Sequence, residues 1–266
     1  MYKSFYSLAE APFQKEIKAK DLFQSASFKE AKARLNYLLK SRGIGVIVGE
    51  NGSGKTTVLR SLAQELNPSL FKVIYFPLST GTVMDFYRGI ASGLGEEPRY
   101  RKVDLFQQIQ ATVKKLYQDQ KITPVFILDE MQLAARRFLS ELTILFNFSM
   151  DSKNPFVLIL AGLPLFLDKF ALNQNQALNQ RLIMKYSLQP LSREEVKEYL
   201  DHQLKLAGAQ HVIFSPQAQE AIALRSKGIP RLINSLALNS LLLGYQLKAD
   251  TINEEIVFKT CEDNGL

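Results

Sequence analysis

The chain has 266 residues, 46% of them hydrophobic and 22% charged, which suits a folded protein with one large domain and a smaller one and argues against long disordered stretches. Lys and Arg number 33 against 26 Asp and Glu, a net charge of +7 that favours a polyanionic partner without requiring one. Cys261 is the only cysteine, so no internal disulfide is possible, and His202 and His211 lie in no Cys/His cluster with zinc-ligand spacing.

In chain order, Tyr2 to Phe23 is rich in aromatics and reads as an arm lying on the main domain. Ala31, Leu35, Leu38 and Leu39 are spaced as one face of a helix. A short apolar run, Ile44 to Val48, precedes a glycine-rich turn. A helix over Thr56 to Leu66 follows, with Val58, Leu59, Leu62, Ala63 and Leu66 on one face. Further buried strands are expected at Lys72 to Phe76, Val125 to Leu128 and Phe156 to Leu160. Strands this apolar, separated by helices, predict a parallel sheet covered on both faces.

The character changes after Pro190. Ser192 and Glu195 have capping-box spacing, and Val196, Tyr199, Leu200 and Leu204 form a stripe that Gly208 ends. Ser215-Pro216, Arg231 to Leu243 and Asn253 to Cys261 mark three more helices. The expected organisation is an arm packed on the core (1–28), an α/β domain (29–190) and a small all-helical domain (191–266). The longest apolar stretch, 156–167, is interrupted by Gly162 and Pro164 and is too short to span a bilayer. No basic-then-apolar leader opens the sequence, so a cytoplasmic protein without membrane insertion is expected.

Gly49-Glu50-Asn51-Gly52-Ser53-Gly54-Lys55-Thr56 matches the P-loop pattern and sits between an apolar strand and an amphipathic helix, the context the motif requires. Its glycines let backbone N–H groups turn toward phosphate, and the following helix adds its positive end. Lys55 is expected to reach the β- and γ-phosphates of ATP, the Thr56 hydroxyl to ligate Mg2+, and Thr57 to complete the nucleotide contacts. Val125 to Leu128 delivers Asp129 and Glu130 at its carboxyl end, the edge where open α/β sheets bind ligands. Asp129 is the candidate metal ligand and Glu130 the candidate for polarising water, which points to hydrolysis. Arg181 and Arg231 carry the fork suited to phosphate, although composition alone makes either a surface arginine.

These motifs resemble an AAA+ ATPase of the ExeA-like branch, which includes TniB-, TnsC- and MuB-like transposition helpers. The resemblance rests on Phe5, Pro12-Phe13, the P-loop, Asp129-Glu130-Met131-Gln132, Gln180-Arg181 ahead of Leu188-Gln189-Pro190-Leu191, and Gly228-Ile229-Pro230-Arg231. It implies an AAA+ fold with a helical lid, an arginine finger at Arg181 acting on a neighbouring subunit, and a lid arginine at Arg231 acting on its own ATP. It also implies a homo-oligomer, ring or filament, that binds double-stranded DNA and recruits a transposase. The residues proposed for DNA are Thr80 and Thr82 in one loop and Arg99, Tyr100, Arg101 and Lys102 in another. The alternatives are an ExeA-like secretion or envelope-assembly ATPase and a nucleotide-switched defence or signalling ATPase. Where ExeA-like proteins often show Gly-Gln-Pro, this chain has Gly162-Leu163-Pro164. The Leu163 side chain has no polar atom to sense phosphate, so another polar group does so or hydrolysis is slow, with oligomerisation or a partner stimulating it.

Overall fold

A computed structural model describes residues 2–14, 17–77, 82–150 and 152–264. The longer helices and the strands run, in chain order, α1 (Ala26–Ser41), β1 (Gly43–Gly49), α2 (Lys55–Glu65), β2 (Phe71–Pro77), α3 (Val83–Gly93), α4 (Lys102–Gln118), β3 (Thr123–Asp129), α5 (Arg136–Leu145), β4 (Val157–Gly162), β5 (Leu182–Leu188), α6 (Arg193–Leu206), α7 (Pro216–Ser226), α8 (Pro230–Gln246) and α9 (Glu254–Asn264). They form two compact units. One spans 30–51 and 55–188; the other takes the chain up to Lys29, Gly52–Gly54, and everything from Gln189 onward.

The first unit is a five-stranded sheet, parallel throughout, in the order β2-β3-β4-β1-β5. Every residue of β1 and β4, and all of β3 after Thr123, is buried, as expected for central strands covered on both faces. The α1 helix rests directly on β1: a Cβ added at Gly45 would lie 2.4 Å from the Leu38 side chain. Phe126 on β3, Phe146 at the end of α5 and Phe156 just before β4 form a chain of ring contacts with centroids 5.1 and 4.9 Å apart. The α/β fold with a parallel sheet is the one the apolar runs predict. The strand they do not predict is β5, an edge strand in which only Met184 and Leu188 are buried while Ile183, Lys185 and Ser187 face out.

The second unit buries Val196, Leu200, Phe214, Ile222, Ile233, Leu236 and Val257 in a core of its own. The capping box at Ser192 and Glu195 is formed, and Ser215 caps α7 with Pro216 at its first position. The aromatic arm belongs here rather than on the α/β domain, which corrects the expectation from sequence. Tyr6 is fully buried in the helical core and its hydroxyl donates to the Ala249 carbonyl at 3.1 Å. The Ala9 N–H donates to the Ala207 carbonyl at 2.9 Å, and Gly208, at φ +90°, lets Ala9 approach within 3.1 Å of where a Cβ would sit. Among the described residues no helix is long and apolar enough to cross a membrane.

Candidate active site

The glycine-rich turn lies between the end of β1 at Gly49 and the start of α2 at Lys55. Gly52 and Gly54 adopt φ of +82° and +100°, conformations that other residues reach only with strain. Lys55 is buried, and its Nζ donates to the Gly49 carbonyl at 2.8 Å and the Glu50 carbonyl at 3.0 Å. The Ser53 hydroxyl is buried and has no hydrogen-bond partner among the described residues. A buried hydroxyl in that state is costly, and a phosphate oxygen in the loop would satisfy it. Thr57 lies half-buried in the first turn of α2, while Asn51 is exposed at the turn.

Asp129 is 2% exposed at the end of β3. Its Oδ2 accepts from the Thr56 hydroxyl at 3.0 Å and the Tyr75 hydroxyl at 3.2 Å, and its Oδ1 accepts the Glu130 N–H at 2.9 Å. Thr56 and Asp129, predicted as a metal pair, therefore touch one another. One carboxylate and one hydroxyl are the kind of hard oxygen donors that magnesium takes from a protein, the rest of its shell being water and phosphate oxygens. Tyr75 is a member of this site that the sequence did not reveal. Burial, reinforced by the Asp129 charge and hydrogen bond and by the Glu130 charge, pushes its hydroxyl up to about 12.

Glu130 follows in a left-handed conformation, φ 59° and ψ 34°, which turns its exposed side chain away from the strand line. Gln132, in the turn after it (Met131–Leu133), donates from Nε2 to Glu130 Oε2 at 2.5 Å. The sequence recorded Gln132 only as part of a motif.

Arg181 is engaged in its own chain. Its guanidinium donates to the Thr143 carbonyl at 3.2 Å and the Phe146 carbonyl at 2.5 Å, the orphan carbonyls at the C-terminal end of α5. A cation there also meets the negative end of the helix. The fork expected to act on a neighbouring subunit thus has a structural task at home. Arg231 lies in the first turn of α8, after Pro230, and is exposed. Its N–H donates to the Gly52 carbonyl at 3.3 Å, and a Cβ on Gly52 would lie 2.6 Å from Arg231 Cβ.

The candidate DNA residues divide. Thr80 lies outside the described residues. Thr82 caps α3: its hydroxyl accepts the Asp85 N–H at 3.3 Å, and its own N–H donates to Asp85 Oδ2 at 2.8 Å. The Thr82 hydroxyl also donates to Asp85 Oδ2 at 2.7 Å, and this bond, followed by the one from the Thr82 N–H, holds the Asp85 carboxyl below its usual range. Lys102 corrects the loop assignment, because it is the first residue of α4; its Nζ pairs with Glu141 at 2.6 Å and stands 5.5 Å over the Tyr87 ring. Arg99, Tyr100 and Arg101 are exposed, Tyr100 by 86%.

The AAA domain family matches residues 38–170. The chain is similar to General secretion pathway protein A of Aeromonas hydrophila, 31% identical over 256 residues, or 92% of this chain and 45% of that protein. It thus spans about half the length of that relative. The fold is similar to Cdc6p of Pyrobaculum aerophilum, with a TM-score of 0.69 at 16% identity over 98% of this chain and 70% of that one. It is also similar to the Aeropyrum pernix ORC1 protein, a structure in complex with DNA, with a TM-score of 0.67 at 15% identity over 92% of this chain and 67% of that one.

Proposed function

The chain belongs to the AAA domain family of ATPases, and from that premise we propose that it hydrolyses ATP to ADP and phosphate as the motor or switch of an ExeA-like secretion or envelope-assembly machine, working as a homo-oligomer. The observation that carries hydrolysis is the contact of Thr56 with Asp129 beside a P-loop whose Ser53 hydroxyl lacks a partner among the described residues. Likeness to the secretion protein over 92% of the chain supports the machine class.

In this reading Lys55 leaves the Gly49 and Glu50 carbonyls for the β- and γ-phosphates. The Ser53 hydroxyl donates to a phosphate oxygen and ends its isolation. Thr56 and Asp129 are the residues that would hold magnesium, and the ion would supply charge neutralisation at the phosphates. Glu130 orients the attacking water and draws on its proton. Arg231 steadies the γ-phosphate. Arg181 clamps α5, and any action on a neighbouring subunit requires it to leave those carbonyls.

A DNA-bound regulator that recruits a transposase is the second reading, favoured by the net charge of +7 and the exposed Arg99-Tyr100-Arg101 cluster. Steady-state turnover with magnesium, light scattering with and without ATP, and anisotropy on unrelated DNA duplexes separate the two. The secretion reading expects turnover that Glu130→Gln abolishes, ATP-dependent assembly, and no duplex binding. Turnover that survives Glu130→Gln overturns the active site. ATP-dependent duplex binding lost on replacing Arg99 and Arg101 with alanine promotes the second reading.

A further inference from the structure

Gln132 is held from both ends in a way that neither the P-loop nor the metal pair explains. Its Oε1 accepts the Leu163 N–H at 3.1 Å, and its Nε2 donates to Glu130 Oε2 at 2.5 Å. This arrangement fixes the orientation of the amide, because a backbone N–H can only donate and a carboxylate can only accept. A flipped amide would face a donor with a donor and an acceptor with an acceptor.

The backbone of Gln132 is fixed as firmly. Its carbonyl accepts from Lys169 Nζ at 2.7 Å, and the same ammonium holds the Ala134 carbonyl at 2.7 Å. The Lys169 carbonyl in turn accepts from Asn175 Nδ2 at 2.6 Å, and Asn175 is only 4% exposed. Desolvation lowers the Lys169 pKa, yet two carbonyls receive its hydrogens. On the other side, a Cβ at Gly162 would lie 3.1 Å from Gln132 Oε1 and 3.3 Å from its N, so glycine leaves room for the amide to sit against the end of β4. Glu130 itself is exposed and adopts a left-handed backbone conformation, and the Gln132 amide is the hydrogen-bond donor that meets its carboxylate.

We propose that Gln132 is the positioning residue of the hydrolytic site: its carboxamide bridges the Leu163 N–H and the Glu130 carboxylate, and so sets where Glu130 presents its oxygens to water. The inference rests on the reading of Glu130 as the residue that orients water. Leu163 takes part through its backbone, which is why an apolar side chain is tolerated there. One Glu130 oxygen is occupied by the amide and the other is left to receive water. The rigid turn that Lys169 and Asn175 support carries any displacement of the segment after β4 directly to the acid.

Two substitutions separate positioning from mere support of the turn. Gln132→Leu keeps the volume and deletes both polar ends. Gln132→Glu keeps an acceptor for the Leu163 N–H but has no donor for Glu130 and sets a like charge beside it. Steady-state kcat and KM, ATP affinity by direct titration, and thermal midpoints are measured on the full chain with magnesium, alongside Glu130→Gln. Both Gln132 variants are expected to lose kcat by about 10- to 100-fold while ATP affinity stays within about threefold of wild type, a loss confined to the transition state. Gln132→Glu is expected to melt close to wild type and still lose kcat. Wild-type kcat in Gln132→Glu, or in both variants while Glu130→Gln is inactive, overturns the inference. So does a loss of ATP affinity as large as the loss of kcat, since a collapsed turn would produce it. Turnover that survives in Glu130→Gln brings down the proposed function itself, an outcome distinct from the other three.

Discussion

Two cations in the α/β unit, Lys55 and Arg181, both spend their hydrogens on backbone carbonyls, yet the carbonyls differ in kind. Those facing Lys55 belong to Gly49 and Glu50, at the turn that the lysine itself closes. Those facing Arg181 are the end of α5, which has no other intrahelical donors for them. A phosphate can take Lys55 away from its carbonyls without unmaking a helix. Removing Arg181 leaves the terminal carbonyls of α5 exposed to whatever water can reach them. On the proposed function the same hydrogen-bond chemistry is interim at Lys55 and structural at Arg181. A motif match does not distinguish the two roles.

The comparison is sharpest where function and stability part. Lys55→Ala is expected to weaken ATP binding by on the order of 10²-fold, because it deletes a charge-assisted contact to phosphate. Calorimetric titration with ATP and magnesium checks this; equal binding by wild type and variant would dissolve the assignment of the loop. Arg181→Ala is expected to act on the other side of the comparison, lowering stability by about 2 kcal/mol in denaturant unfolding through its two lost carbonyl bonds. Arg181→Lys, which retains charge but not the fork, should fall in between. If instead Arg181→Ala melts like wild type and hydrolyses poorly, and mixing it with Glu130→Gln restores turnover, the arginine works between subunits and the contrast with Lys55 fails.

Ser53 sharpens the comparison from within the loop. Its buried hydroxyl has no partner among the described residues, whereas the carbonyls around Arg181 are satisfied. Ser53→Ala is therefore expected to leave the stability of the nucleotide-free protein unchanged or slightly raised, and to weaken ATP binding by about tenfold, the lower end of the worth of a hydrogen bond to a charged acceptor. A marked drop in the melting temperature without nucleotide would mean that the hydroxyl has a protein partner after all.

What the sequence made legible follows from locality. Gly49 to Thr56 is contiguous, and the flanking strand and helix announce it. Four strands are apolar enough along most of their length to read as buried. The β5 strand alternates at a sheet edge and shows Lys185 and Ser187 to solvent, so its pattern is half that of a surface segment. The arm advertised burial through its aromatics, but no local pattern could say that Tyr6 finds Ala249, far along the chain. Tyr75, Gln132 and Lys169 were missed for the same reason. Each acts through a partner brought near by folding: Asp129 for Tyr75, Leu163 for Gln132, and the carbonyls of Gln132 and Ala134 for Lys169. Arg181 was legible as an arginine in a motif, and the carbonyls that claim it were not.

Tyr75 gives the smallest expected effect and tests whether Asp129 is interim in the manner of Lys55. Its hydroxyl donates to the same Asp129 oxygen as Thr56 does, so a metal ion taking up that oxygen competes with two donors. Deleting one donor with Tyr75→Phe should shift the magnesium concentration for half-maximal turnover downward by no more than about threefold, less than a hydrogen bond to a charged acceptor is worth when buried, because the tyrosine is half-exposed. The pH dependence has a definite sign. The hydroxyl is raised from 10.0 to about 12 in the folded chain, so the folded state holds this proton more tightly than the unfolded state does. The stabilisation is present in full below pH 10 and is lost as pH rises through about 12. Between those values wild-type stability should fall with rising pH more steeply than that of Tyr75→Phe. The difference should be small, because Tyr75 is 50% exposed and water screens the Asp129 charge. Tyr6 and Tyr199 are also pushed up to about 12 by burial, so both proteins retain an alkaline slope and only its change is diagnostic. Denaturant midpoints at pH 8, about 10 and about 11 measure that change. Identical slopes would place the Tyr75 proton outside the influence of Asp129, and a higher magnesium requirement in Tyr75→Phe would show that the hydroxyl prepares the carboxylate for the ion instead of competing with it.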